Sequence, residues 1–232
     1  MTTQHAVKSH TAIRGSIPSQ KPTRHMIEYQ GLVKRAYIYL LEYDPSVQSY
    51  EIQPFSLRYS TSTLHSTYTP DFRVQWTHQR PRLITCTSQA LTLTPTSLSR
   101  ISAAQQWCQQ HQHDFALITE ITLEPHAVLL ANLQLLAVHA FVPIPAHIHD
   151  YMQKIFASID GPFSPNTFIQ YAPRLHPSQA KSSLWNLIYH GELLTDLTQP
   201  LHFAKTSLLW KHRLAAHESK RENIHLTGIS LQ

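Results

Sequence analysis

The sequence predicts an α/β protein in two parts: a mixed sheet flanked by helices, then a small helical domain that closes on a hairpin. Three observations carry this. Between residues 30 and 119, segments of helical and strand periodicity run in the order helix, three strand candidates, helix, strand, the pattern of a layered α/β core. After Thr119 the periodicity is helical until His190-Gly191-Glu192 turns the chain and Gln199-Pro200 reverses a hairpin. Pro143 and Pro145 punctuate the chain between the two parts.

Residues 1–26 are polar and hold Gly15, Pro18 and Pro22, so they are expected to form an extended basic arm. Across residues 30–42, Leu32, Val33, Ala36, Tyr37, Leu40 and Leu41 recur at helical spacing, and Asp44-Pro45 ends the helix because proline disfavours a helical residue before it. Strand candidates follow at 47–59 (interrupted at Pro54), 66–76 and 82–87. Residues 97–111 form a helix with Ile101, Ala104, Trp107 and Cys108 on one face, and 114–119 a short buried strand. The first domain is placed at 27–142, with 124–140 as a linking helix. Residues 143–232 form the second, with helices at 149–159 and 178–190 and a hairpin over 193–209. Helices followed by a small hairpin suggest a winged helix, a fold used to bind DNA or protein.

Charged residues are 14% and hydrophobic residues 42%, the balance of a chain that folds. No apolar stretch near ~18 residues is expected, and the N-terminus lacks the apolar core of a signal peptide, so no membrane contact and a cytoplasmic location are expected. Cys86 and Cys108 lie in unrelated contexts and are expected to be core thiols. His111 with His113, and His147 with His149 and Asp150, lack the i, i+4 spacing or Cys-x-x-Cys companions of a zinc site, so no metal site is assigned.

Charge is concentrated at the ends. Residues 1–35 carry Lys8, Arg14, Lys21, Arg24, Lys34 and Arg35 against Glu28 alone. Residues 205–232 carry Lys205, Lys211, Arg213, Lys220 and Arg221 against Glu218 and Glu222, while acids outnumber bases in between. Basic ends suit a protein that grips phosphate with its termini, and Arg14, Lys21, Arg24, Lys205, Lys211 and Arg213 are the candidate DNA contacts.

Asp71 is the most informative residue. It sits in Tyr68-Thr-Pro-Asp-Phe72, ahead of the apolar run Leu83-Ile-Thr-Cys-Thr87. A Pro-Asp pair, a gap and an apolar strand is the layout of a restriction-type nuclease site. Such a site needs a second acid or Gln, and a Lys, at alternate strand positions facing one Mg²⁺. Those positions hold Thr85 and Thr87.

Leu41-Glu-Tyr-Asp-Pro45, Tyr50-Glu-Ile-Gln-Pro54 and Tyr68-Thr-Pro-Asp-Phe72, in this order and at these gaps, are similar to the TnsA family, the endonuclease subunit of a two-part cut-and-paste transposase. The resemblance covers roughly Gly15 to Thr119. It implies a restriction-endonuclease-like core that cleaves the 5′ ends of a transposon. It also implies transposon-end DNA, a transposase subunit of the TnsB type and a AAA+ regulator of the TnsC type as partners. Carried over residue by residue, Asp71 keeps the strand aspartate, and Gln53 and Pro54 keep their motif. Lys34 falls on the helix glutamate, Thr85 on the acid or Gln, and Thr87 on the lysine. Magnesium needs oxygen ligands in near-octahedral array, and Lys34 repels a cation rather than collecting it. The expectation is a TnsA-like subunit that has lost catalysis, needs no cofactor and binds DNA and partners. The alternatives are an active Mg²⁺ nuclease with a rearranged site and a protein-only regulator. Glu42, eight positions and ~12 Å along the helix from Lys34, is a poor replacement ligand, and Glu28 is expected to sit in the arm.

Overall fold

A computed structural model describes residues 13–19, 21, 26–60, 65–91 and 94–210. It divides into two compact units that meet at Leu123/Glu124. The boundary expected at 142/143 therefore lies earlier, and the helix expected to link the domains belongs to the second unit.

The first unit begins with strands β1 (Arg14–Pro18) and β2 (Met26–Gln30), an antiparallel pair. That pairing replaces the extended arm expected for residues 14–18. Its tight point is Gly15, where an added Cβ would lie 2.5 Å from the Tyr29 hydroxyl oxygen. Gly31 then turns the chain at φ 97°, and its N–H donates to Ile13 O. Helix α1 (Leu32–Tyr43) follows, burying Tyr37, Ile38, Leu40 and Leu41.

The central sheet has the order β3-β6-β7-β8, built from β3 (Val47–Ile52), β6 (Phe72–Trp76), β7 (Arg82–Cys86) and β8 (Asp114–Ile118). The β3/β6 and β6/β7 pairs are antiparallel and β7/β8 is parallel, so the sheet is mixed. Strands β4 (Leu57–Ser60) and β5 (His65–Tyr68) form a separate antiparallel pair. The parallel pair needs a crossover, which helix α2 (Pro95–Gln110) supplies. It starts on Thr94, whose hydroxyl accepts the Ser97 N–H, with Pro95 in its first turn.

Alternation along the strands gives the sheet two faces. Phe72 meets Tyr37 of α1 at 5.8 Å and Tyr50 of β3 at 6.1 Å between ring centroids. On the other face Leu83 packs with Leu57, Ala104 and Cys108, under Phe55, Tyr68, Trp107 and Phe115.

After the short α3 (Glu120–Leu123), the second unit holds α4 (Ala127–Ala140), α5 (Ala146–Ser158), α6 (Pro165–Tyr171), α7 (Pro177–Tyr189), β9 (Leu193–Leu194) and β10 (Leu209–Trp210). Strands β9 and β10 pair antiparallel, and an isolated bridge joins Phe163 to Leu208. Phe156, Phe163 and Phe168 form its aromatic centre. The hairpin expected over 193–209 is thus two short strands joined by a long connection.

One helical run, Glu120–Ala140, is long and apolar enough to cross a membrane by length and composition, contrary to the expectation that no such stretch exists. A 3₁₀ turn at Glu124–His126 breaks it. On α4, buried Asn132 donates to Leu197 O and Gln199 O, while Leu129, Leu130, Leu133 and Leu136 are buried beside it. Those contacts are those of a core helix.

Candidate functional site

The recognisable sequence blocks prove to be the fastenings of α1 to the sheet. Asp44, just past α1, accepts the Ser46 N–H at 2.9 Å and the Ser46 hydroxyl at 2.6 Å on Oδ1, and the Trp76 indole N–H at 3.2 Å on Oδ2. Glu42 Oε1 accepts the Tyr50 hydroxyl at 2.5 Å and the Ser19 hydroxyl. Glu42 is therefore held by β3 at the far end of the helix from Lys34.

Asp71 lies one residue before β6, fixed on both sides by backbone bonds. Its N–H donates to Ile84 O and its carbonyl accepts the Gln53 N–H, both at 2.9 Å. Gln53 reaches that position in a left-handed turn at φ 48°. Both carboxylate oxygens of Asp71 have partners. Oδ1 meets Lys34 Nζ at 2.5 Å, and Oδ2 accepts the Cys86 N–H at 2.6 Å. The Cys86 N–H needs such a partner because the β6/β7 pairing runs only from Val74↔Arg82 to Phe72↔Ile84.

The site is dry. The Asp71 side chain is 10% exposed and that of Lys34 29%. Burial pushes the Asp71 carboxyl above its usual range, and Lys34 and the Cys86 N–H offset part of that rise. Burial, and then Asp71, push the Cys86 thiol well up.

Lys34, Gln53 and Asp71 line a cleft of about 760 Å³ together with Arg14, Glu28 and Tyr29. Glu28 was expected in an arm; β2 brings it to the cleft instead. Only the β1/β2 register reveals this, and no local sequence signal announces it. Thr85 and Thr87 are not among the residues lining the cleft, although Thr85 follows Ile84, the partner of Phe72, and so lies across from Asp71 where β6 and β7 part. Thr85 is two residues from Leu83 on β7 and so shares the α2 face. It is buried, with its hydroxyl bonded to that of Tyr68.

The residues present do not fit a magnesium ion. Asp71 is the only carboxylate in the pair, both its oxygens are taken, and an ammonium sits where a cation would be coordinated. Among the described residues no three His, Cys, Asp or Glu side chains come together to hold a metal.

The candidate DNA contacts have different fates. Arg14 is exposed and lines the cleft. The Lys21 ammonium is spent on the end of α1, donating to Leu41 O at 2.6 Å and to Asp44 O, and burial pushes it down to about 8. Lys205 is exposed in the connection between β9 and β10. Arg24, Lys211 and Arg213 lie outside the described residues.

In the second unit, Ser183 to Ile188 of α7 are all buried. Asn186 donates to the carbonyls of His139, Ala140 and Val142 at 3.0–3.1 Å, tying α7 to the end of α4. The exposed part of α7 is its start, Pro177, Ser178, Gln179 and Lys181.

Residues 44–120 match the family described as TnsA-like endonuclease N terminal. The match takes in β3 to β8 and Asp71; it leaves out α1 with Lys34 and the second unit. No curated protein matches the chain.

Proposed function

We propose that this protein is a non-catalytic, TnsA-like subunit of a heteromeric transposase, which binds DNA at transposon ends and docks on its partners. The observation that carries this reading is the Lys34–Asp71 pair. The family match supplies the nuclease frame, and the ion pair fills the frame's acidic position with the protein's own cation. A transposase partner of the TnsB type and a AAA+ regulator of the TnsC type follow from the family's division of labour. With the 5′ strands uncut by this subunit, the element would move by copying in.

For the second unit we favour a winged helix. Its support is the order α5, the Phe163 bridge, α6, α7, β9, long connection, β10. In helix-turn-helix readers, residues at the start of the recognition helix contact base edges. Ser178, Gln179 and Lys181, exposed at the start of α7, would be the candidates for such contacts.

The test is a nicking assay on end-containing DNA with Mg²⁺ or Mn²⁺, with the full chain and its transposase. No cleavage is expected. The second reading, an active nuclease with a rearranged site, is favoured by one observation, Glu28 in the same cleft as Asp71. Divalent-dependent nicking abolished by both Glu28→Ala and Asp71→Ala would establish it and end the pseudo-nuclease reading.

A further inference from the structure

The middle of the chain hides a basic stretch that summed charge conceals. Between Ile52 and His113 the only acid is Asp71, while Arg58, Arg73, Arg80, Arg82 and Arg100 supply cations. Asp71 is spent on Lys34, Arg73 on Glu51, and Arg82 lies 4.0 Å from Asp114. Arg58 and Arg100 are exposed and have no carboxylate partner among the described residues.

Arg58 lines a groove of about 890 Å³ between the β4/β5 pair and α2, and Arg100 follows Ser99 of its lining along α2. Arg58, Ser66 and Thr67 line one wall; Ser99, Ser102 and Gln106 line the other. The last three recur at i, i+3 and i+7, one face of the helix. Arg100 is anchored beside them, its Nε donating to the Tyr59 hydroxyl at 3.3 Å and its guanidinium 5.9 Å from the Tyr59 and Tyr68 ring centres. Bonds to Ser66 and then Arg100 hold the Tyr59 phenol below its usual range. The groove shares no residue with the Asp71 cleft.

We propose that this groove is a track for the phosphodiester backbone of duplex DNA. Phosphate oxygens only accept hydrogen bonds, and this wall offers guanidinium, hydroxyl and amide donors with no carboxylate to repel them. Arg, Ser, Thr and Gln are residues that make such contacts in protein–DNA interfaces, where they position without reading sequence. The track rests on the reading that the chain works on DNA, and it adds a contact surface on the α2 side that the basic ends do not supply.

The test is binding of the full chain to a labelled random-sequence duplex across a salt series. Arg58→Glu combined with Gln106→Glu should weaken binding by ~10-fold or more near 100 mM salt, and flatten the log–log salt slope by ~0.9 for each phosphate no longer neutralised. Ser102→Arg, which adds a cation at an exposed helix position, should tighten binding several-fold, a gain that misfolding cannot produce. If wild type binds but neither set of changes moves affinity, while Arg14→Ala does, the groove is not a track and the DNA reading stands. If wild type binds no duplex, both fall. Binding of inorganic phosphate as tight as that of the duplex would mark a small-anion site instead and overturn the track.

Discussion

Replacing Lys34 by Met leaves Asp71 buried with one N–H bond and no counter-charge. Removing one partner of a fully buried ion pair costs ~3–5 kcal/mol. Lys34 is 29% exposed, so water screens the pair and we expect ~1–3 kcal/mol at pH 8. The loss depends on pH. Burial already holds Asp71 above the unfolded carboxyl value of ~3.9, so the folded chain keeps this proton to higher pH than the unfolded chain does. Stability tied to this group is present at acid pH and lost as pH rises through the folded value. Losing Lys34 lifts the folded value further, so the deficit of Lys34→Met should be smaller at pH 5 than at pH 8, because a protonated Asp71 needs no counter-charge. Calorimetric unfolding of the full chain at both pH values measures this, with hydrogen exchange at the Cys86 amide as the local readout. Adding Asp71→Asn should recover most of the loss, since the amide oxygen still accepts the Cys86 N–H. A deficit equal at both pH values, or no recovery in the double variant, would refute the buried pair as the reason.

Lys21, pushed down to about 8 by burial against the opposing pull of Glu42 and Asp44, binds protons less readily folded than unfolded, where ~10.4 applies. Wild-type stability should therefore gain between pH 8 and 10, by at most ~1.4 kcal/mol per unit from this group, and Lys21→Met should lack that slope in denaturant titrations. Asn186→Leu strips the partner from the carbonyls of His139, Ala140 and Val142 and should cost ~1–3 kcal/mol, seen as an earlier calorimetric transition of the second unit. Lys34→Glu should make the first unit dependent on divalent ions: destabilised without them and regaining ~2.7 kcal/mol at an ion concentration 100-fold above the dissociation constant. Wild type should not respond to Mg²⁺.

The core of the first unit was legible because its signals are local. Helix period, proline stops and β-rich runs place α1, β7, α2 and β8 within a few residues, whereas the strand candidates 47–59 and 66–76 each span two strands, β3 with β4 and β5 with β6, that belong to different sheets. Three features were not. The β1/β2 pair depends on Gly15 fitting beneath Tyr29, a contact across the chain that composition does not encode. Helix α6 did carry a signal, Ser164-Pro165 at its start, but seven residues give periodicity too little length. Helix α4 is apolar on most of its surface, with Leu129, Leu133 and Leu136 buried and Val128, Leu135 and Val138 exposed. Period alone cannot say which side faces the core, so its assignment to the second unit needed contacts. The Arg-rich stretch was missed for an arithmetic reason: averaging residues 36–204 mixed it with acids on either side.

The site itself was half legible. Sequence placed Lys34 with Asp71, and the β6/β7 register sets Thr85 across from Asp71, but the Pro-Asp motif gave no sign that the Thr85 hydroxyl is taken by Tyr68. Asp71 works where β6 and β7 part, taking the Cys86 N–H in the gap. That gives it a structural task independent of chemistry. A carboxylate largely buried in this gap is favoured by a cation beside it, and a metal ion fills that role only while other acids help to hold it. Once the helix position carries Lys34, the cation is covalently supplied, and Asp71 can stay ionised with no metal at all. Retention of Asp71 is thus not evidence of retained catalysis. On the proposed non-catalytic reading, the residue whose identity separates the two states is Lys34, which lies outside residues 44–120 on a helix that the sequence blocks only fasten in place.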